Sequence, residues 1–355
     1  MIDYSEPADN RPNRGFHPVY EDPGLPLMID GCVQVWPDAD FATAHRHGAT
    51  CYAVTATMPG SDFSQAVEEI MFWHALARQH DNIRIPLTAA DIRTAKAEGK
   101  AAFLLASQDG EFVGGKLHRL EAMWRLGLRM IIPAYNRDNL NGGGALDGTG
   151  QGLTSFGRRF VEECDRLGLV LDASHVNRLT SLQMIDHSSR PIVFSHANPR
   201  GLTDNPRNAD DEQIRACAAR GGVIGTVNWG PLIFRDGMTS RPTVHDFLDH
   251  IDYLADLLGS TDNIGIGTDF SLGSYPPHDR DIWGAARYPL DARGRYDEFM
   301  PVYQRAPERF AEGFDNYGQL PDLRRLLAER GYSDADISGI FGGNFLRVFE
   351  QVWGA

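Results

Sequence analysis

The chain has 355 residues, 42 % hydrophobic and 23 % charged, with a formal net charge of −14. That apolar mass suffices for a large core, and the acidic balance argues against a nucleic-acid or anionic-membrane partner, since both need basic surface. No apolar run reaches the roughly 18 residues of a spanning helix, and the polar, Pro-rich stretch 1–26 has no apolar centre for a signal peptide, so a cytoplasmic location is expected. The four cysteines, Cys32, Cys51, Cys164 and Cys217, are widely spaced and form no CxxC, which reads as reduced thiols.

In chain order, apolar or β-branched runs recur at 27–33, 50–57, 101–106, 129–134, 168–173, 191–195, 222–227 and 263–267. Amphipathic stretches lie between them, among them SQAVEEIMFWHALARQH, LHRLEAMWRLG, LTSFGRRFVEECDRLG, DDEQIRACAARG and VHDFLDHIDYLADLLG. Several close on glycine, a helix C-cap signal. Strands that alternate with crossover helices make a parallel sheet, and eight is the number that closes a (β/α)8 barrel of the TIM type. A doubly wound open sheet is the alternative, but no GxGxxG follows Ile29. The division expected is a polar arm over 1–26 and one barrel domain over 27–355. From about 276 onward it carries an appended, largely helical cap.

Barrel chemistry sits at the C-terminal ends of the strands. There stand Cys32 and Gln34 after the first run, Gln108 and Asp109 after the third, and Tyr135 and Asn136 after the fourth. His175 follows the fifth in LDASHV, His196 the sixth in IVFSHA, and Asp269 the eighth in IGIGTDF. Neighbouring strands lie about 4.8 Å apart, so two imidazoles on adjacent strand tops can share one metal ion at about 2.0–2.1 Å each. Asp269 would face the same mouth as a ligand or as a base for water.

From residue 27 to 352 the chain resembles the membrane (renal) dipeptidases, zinc metallopeptidases of the amidohydrolase-like barrel class. The resemblance is carried by IDG at 29–31, NRDNL at 136–140, GLTSFG at 152–157 and LDASHV at 171–176. It continues in PIVFSHANPRGL at 191–202, NPRNADDEQI at 205–214, GGVIGT at 221–226, IGIGTDF at 264–270 and GGNFLRV at 342–348. The family holds two zinc ions. A His-x-Asp pair ending the first strand serves one, a Glu ending the third bridges both, and two histidines ending the fifth and sixth serve the second. The resemblance implies that His175 and His196 are those histidines. It implies that Arg207 grips a substrate carboxylate and that Asp269 handles the proton.

Elsewhere the pattern departs. The His-x-Asp pair falls on Cys32 and Gln34, the bridging Glu on Gln108, and a strand-four His that polarises the scissile carbonyl on Tyr135. Two close cations need carboxylate ligands to offset their repulsion, and amides bring no charge. One zinc ion at most is therefore expected, on His175 and His196, with Asp269, Gln108 or Cys32 as a third ligand. Tyr135 would donate to a carbonyl or oxyanion. Gln34, Asn136 and His278 join Arg207 as substrate contacts, His278 from a loop after the eighth strand. His45 and His47, in AHRHG, precede the second strand and belong to the opposite rim. The glycine-rich LNGGGALDGTGQG lacks GK[ST] and reads as a mobile loop bordering the site, not a phosphate cradle.

Two functions follow. One is a dipeptidase-like metallohydrolase acting on a small substrate with a free carboxylate, a homodimer by resemblance. The other is a degenerate barrel without hydrolytic metal that binds or transforms an amino-acid-like ligand.

Overall fold

The computed structural model describes residues 24–35, 45, 48–235, 238, 240–272 and 310–354. Ten strands, all paired in parallel, form one sheet: β1 (Met28–Val35), β2 (Ala49–Thr57), β3 (Ile83–Arg84), β4 (Ala101–Ser107), β5 (Leu128–Ile131), β6 (Val170–Leu171), β7 (Val193–Phe194), β8 (Val223–Thr226), β9 (Ile264–Ile266) and β10 (Phe270–Leu272). The order is β6-β5-β4-β2-β1-β9-β8-β7, with β3 beside β4 and β10 beside β1. A parallel bridge between Asp172 and Val193 joins the two ends. The expected eight-stranded barrel is thus present, and β3 and β10 are short additions to it.

Outside the sheet run α1 (Phe63–Gln79), α2 (Ala89–Glu98), α3 (His118–Arg125), α4 (Ser155–Leu167), α5 (Arg178–His187), α6 (Asp211–Ala219) and α7 (Val244–Leu258). Their starts are written in the sequence. Asp62 caps α1 in a reciprocal pair with Gln65, and Asp210 caps α6 with Gln213. Thr154, in GLTSFG, caps α4, which ends on a left-handed Gly168. Each buries one apolar stripe against the sheet, for example Phe160, Val161 and Cys164 on α4. No helix among the described residues is long and apolar enough to cross a membrane.

The C-terminal extension carries α8 (Leu320–Glu329) and α9 (Asn344–Trp353). Helix α9 plugs the N-terminal end of the barrel, away from the strand ends that carry chemistry. Its Phe345, Val348, Phe349 and Val352 pack with Ile29, Cys51, Ala102, Val170, Val193 and Val223 in one buried cluster. Arg347 donates to the carbonyls of Gly221 and Asp262, and the Trp353 indole to that of Arg129, all at strand starts. The glycines of IDG and IGIG make room for the plug. A Cβ on Gly31 would lie 2.9 Å from Phe345 Cζ, and one on Gly265 would lie 2.5 Å from its Cε2.

Because that ring fills the barrel axis, truncating it leaves a cavity nothing nearby can collapse into. Phe345→Ala should cost about 3–5 kcal/mol, read as a lowered midpoint of chemical denaturation. A loss below about 1 kcal/mol would show that the plug is dispensable.

Candidate metal centre at the C-terminal rim

Three non-glycine residues have left-handed backbones among the described residues: Asn136 (φ 59°), His175 (φ 64°) and Asp269 (φ 56°). Each stands in the stretch that follows a strand at the C-terminal rim. Such a conformation costs about 1–3 kcal/mol and persists only where the surroundings impose it. Here they do. The His175 carbonyl accepts from the backbone N–H groups of Asn136 (3.2 Å) and Ala145 (2.9 Å), and Asp269 N–H donates to the Cys32 carbonyl at 2.9 Å.

The two histidines meet as the sequence implies. Their Nε2 atoms lie 2.8 Å apart, and the rings are tilted by 57°. Each Nδ1 is turned away from the mouth. That of His175 lies 2.8 Å from Asn136 Oδ1, and that of His196 lies 2.7 Å from Ser195 Oγ. An amide oxygen can only accept, so His175 carries its proton on Nδ1. Ser195 gives its single proton to the Asp172 carboxylate, so His196 Nδ1 must be the donor in its own contact. Both Nε2 atoms therefore present lone pairs to the same point. Burial lowers both basicities well below the ordinary histidine range, and the nearby Arg207 cation lowers them further. Tyr135 stacks on His175 with ring centroids 4.0 Å apart.

Beside this pair lies a thiol, a carboxylate and two amides. The ligand atoms of Cys32, His196 and Asp269 all fall within 4.8 Å of one another. Cys32 Sγ donates to Asp269 Oδ1 at 3.5 Å, and Gln34 Nε2 donates to the same oxygen at 3.2 Å. Gln108 Nε2 donates to Cys32 Sγ (3.2 Å) and to Thr55 Oγ1 (2.8 Å). Burial and then the charges of Asp269, Asp30 and Asp172 push the thiol up. Gln108, expected as a metal ligand, thus turns its –NH₂ group toward the thiol. Asn136 and Gln34, expected at the substrate, bond here to His175 and Asp269.

Arg207 is buried at 5 % exposure, with Nη2 3.3 Å from the His196 carbonyl. Its loop is tied down by asparagines. Arg207 N–H bonds to Asn205 Oδ1 (2.9 Å), and Asn208 links Asn198 N–H to the Thr203 and Leu232 carbonyls. A guanidinium so placed is pre-oriented rather than solvated. His278 and His47 lie outside the described residues. His45 sits at the opposite rim, as expected, between the carbonyls of Ala49 (3.1 Å) and Gly99 (2.8 Å). The glycine-rich stretch is less free than expected. Gly142, Gly143 and Gly144 are buried, and Gly143 N–H bonds to Thr180 Oγ1 at 2.9 Å, because this backbone buttresses the His175 turn.

Sequence reasoning missed the carboxylates behind the site. Asp30 accepts from Cys32 N–H (3.2 Å), Thr268 N–H (2.8 Å), Thr268 Oγ1 (2.5 Å) and Tyr317 Oη (2.7 Å). Asp172 accepts from Ser174 N–H (2.9 Å), Ser195 N–H (3.0 Å) and Ser195 Oγ. Both stand two residues before a small polar residue in the mouth, as IDGC and LDAS show, and that shared spacing was the available signal. Asp109 lines a cleft with Pro59, Tyr135, Arg137 and Asn139, and accepts from the N–H groups of Gly60 and Glu111, both at 3.0 Å.

A family model described as membrane dipeptidase (peptidase family M19) matches residues 37–282 and 305–354. An uncharacterised protein in the pqqA 5′ region of Klebsiella pneumoniae is 28 % identical over 286 residues, 78 % of this chain and 92 % of its own length. An uncharacterised dipeptidase of Schizosaccharomyces pombe is 31 % identical over 67 % of this chain and 50 % of its own. The crystal structure of an amidohydrolase from Pseudomonas aeruginosa superimposes with a TM-score of 0.80 at 30 % identity, covering 93 % of this chain and 97 % of that one.

Burial, and then the charge of Glu111, raise the Asp109 carboxyl from 3.8 to about 7. The folded state therefore favours the protonated form. That contribution is full below about pH 4 and is lost as pH rises through 7. The stability of the wild type relative to Asp109→Asn should fall over this window and level off above it. Parallel pH–stability curves for the two proteins would refute the shift.

Proposed function

Because the chain belongs to the membrane dipeptidase family, peptidase family M19, we propose that it hydrolyses an amide bond in a small substrate bearing a free carboxylate, using one divalent ion, zinc by the family's habit. The observation that carries this reading is the pair of Nε2 lone pairs 2.8 Å apart. Two such atoms repel unless a cation stands between or beside them. The donor set fits one ion: two neutral imidazoles, with the Asp269 carboxylate and the Cys32 thiol close to His196. It supports one ion and not two. The amide –NH₂ groups of Gln34 and Gln108 already face the carboxylate and the thiol. They put partial positive charge where a second cation would need its anionic ligands.

An ion so held supplies Lewis-acid polarisation of the scissile carbonyl and a nucleophilic water near neutral pH. The chain supplies the rest. Arg207 takes the substrate carboxylate in a fork that a lysine could not reproduce. The Asp269 carboxylate receives the proton of the attacking water and passes it to the leaving amine. Tyr135, its ring fixed against His175, presents a phenolic O–H to the developing oxyanion.

A second reading has one observation in its favour. A separation of 2.8 Å is also a normal N–H···N distance, so a single shared proton could hold the pair and leave a metal-free binding barrel.

Elemental analysis separates the two. Protein purified without chelator or added metal should carry close to one equivalent per chain, lost in His175→Ala. Well-folded wild type that contains none, and takes none from added zinc, leaves the metal-free reading. On a panel of dipeptides, Asp269→Asn should lower kcat by about 10²–10⁴, measured with metal added back to full occupancy. Turnover that survives this change would remove Asp269 from the mechanism.

A further inference from the structure

Behind His196 lie two linked groups that the hydrolytic reading does not use, the Ser195 hydroxyl and the Asp172 carboxylate. Asp172 is 1 % exposed and accepts hydrogen bonds from Ser174 and Ser195. The N–H groups of Ser174 and Ser195 bond to Oδ1, and the Ser195 hydroxyl bonds to Oδ2. That hydroxyl is also 2.7 Å from His196 Nδ1.

The barrel contains the same device once more, which shows what is particular here. On β1 and β9, Asp30 takes the N–H and hydroxyl of Thr268, as Asp172 takes those of Ser195. The Thr268 hydroxyl then accepts from a backbone group, Phe270 N–H at 3.0 Å. It does no more than brace two strand tops. The Ser195 hydroxyl instead reaches an imidazole, so the brace across β6 and β7 also fixes a ring.

The structure assigns Asp172, acting through Ser195, as a positioning residue that holds His196 in the Nδ1–H tautomer with Nε2 free toward His175, and so sets the cation affinity of the pair. The physical reason is a count of protons. Burial raises the Asp172 carboxyl, and the bonds from Ser195 and Ser174 lower it again; in its ionised form it only accepts, and it claims the one hydroxyl proton of Ser195. The serine oxygen must then accept from the ring, which leaves the lone pair on Nε2. A carboxylate behind a ligating histidine typically carries a factor of about 10–100 in metal affinity. Asn136 does the matching work for His175 with an amide oxygen.

The cation part of this assignment rests on the proposed function; the tautomer part does not. Two variants separate them. Asp172→Asn keeps the shape but turns Nδ2, a donor, toward Ser195. The serine proton should then pass to His196 Nδ1, and the ring should become the Nε2–H tautomer. Ser195→Ala removes the relay and keeps the backbone bonds to Asp172. Histidine-labelled, metal-free protein should show His196 protonated on Nδ1 in long-range ¹H–¹⁵N spectra, and protonated on Nε2 in Asp172→Asn. Titration with Co²⁺ alone should show affinity about 10–100-fold lower in both variants, and recovery in Ser195→Thr, which restores a hydroxyl. A wild-type ring protonated on Nε2, or unchanged Co²⁺ affinity in a folded Ser195→Ala, overturns the assignment. If the wild type takes no Co²⁺, the metal reading fails, and the tautomer spectra still decide the relay. Should Asp172→Asn not fold, the wild-type spectrum and Ser195→Ala carry the test.

Discussion

The arrangement depends on keeping two unprotonated ring nitrogens pointed at each other. Left to itself, one of a facing pair of neutral imidazoles would turn its ring and make an N–H···N bond. That escape is closed at both ends: Asn136 Oδ1 occupies one Nδ1 and the Ser195 hydroxyl the other. Burial closes the remaining route, because a charged imidazolium is costly away from water and the Arg207 cation makes it costlier. Lone pairs that can neither rotate away nor protonate readily suit a metal ion.

The same logic governs the half of the mouth where the family pattern breaks. Cys32, Gln34, Gln108 and Asp269 are joined to one another by hydrogen bonds. Each amide nitrogen has an acceptor, and each anionic or soft atom has a donor. The amides of Gln34 and Gln108 donate to the Asp269 carboxylate and the Cys32 thiol. Raised by burial, the Cys32 thiol is a neutral donor to Asp269.

Sequence made the barrel and its rim legible because both rest on local signals. Strand runs alternate with capped helices, and the two Ser-His pairs stand at strand ends. The direction in which the rim residues point was not legible. Gln108 sits at a strand end whether it offers oxygen or nitrogen; the choice is made by Thr55, more than fifty positions away in sequence. Nothing in the sequence shows that the left-handed backbone of Asn136 brings its amide onto His175. Asp30 and Asp172 read as ordinary polar breaks in apolar strands. Their function appears only when the next strand brings Thr268 or Ser195 alongside. The destination of the C-terminal tail was hidden for a similar reason. An apolar helix at the end of a chain fits either mouth, and only the glycines at 31 and 265 reserve space for Phe345 at one of them.

That plug bears on the chemistry. Phe345 presses from below against the positions of Gly31, Gly225 and Gly265, and the Ser195 carbonyl occupies the space above Gly31, Gly225 and Gly267. Side chains at these glycines would displace either the plug or the strand end that carries Ser195 and His196. The interior is therefore packed continuously from the aromatic ring at one end to the imidazoles at the other. Close-packed interiors transmit displacement rather than absorb it. The left-handed turns at Asn136, His175 and Asp269 are strained conformations that need such a rigid floor. A barrel with a looser axis would let those turns relax, and the two lone pairs would no longer converge.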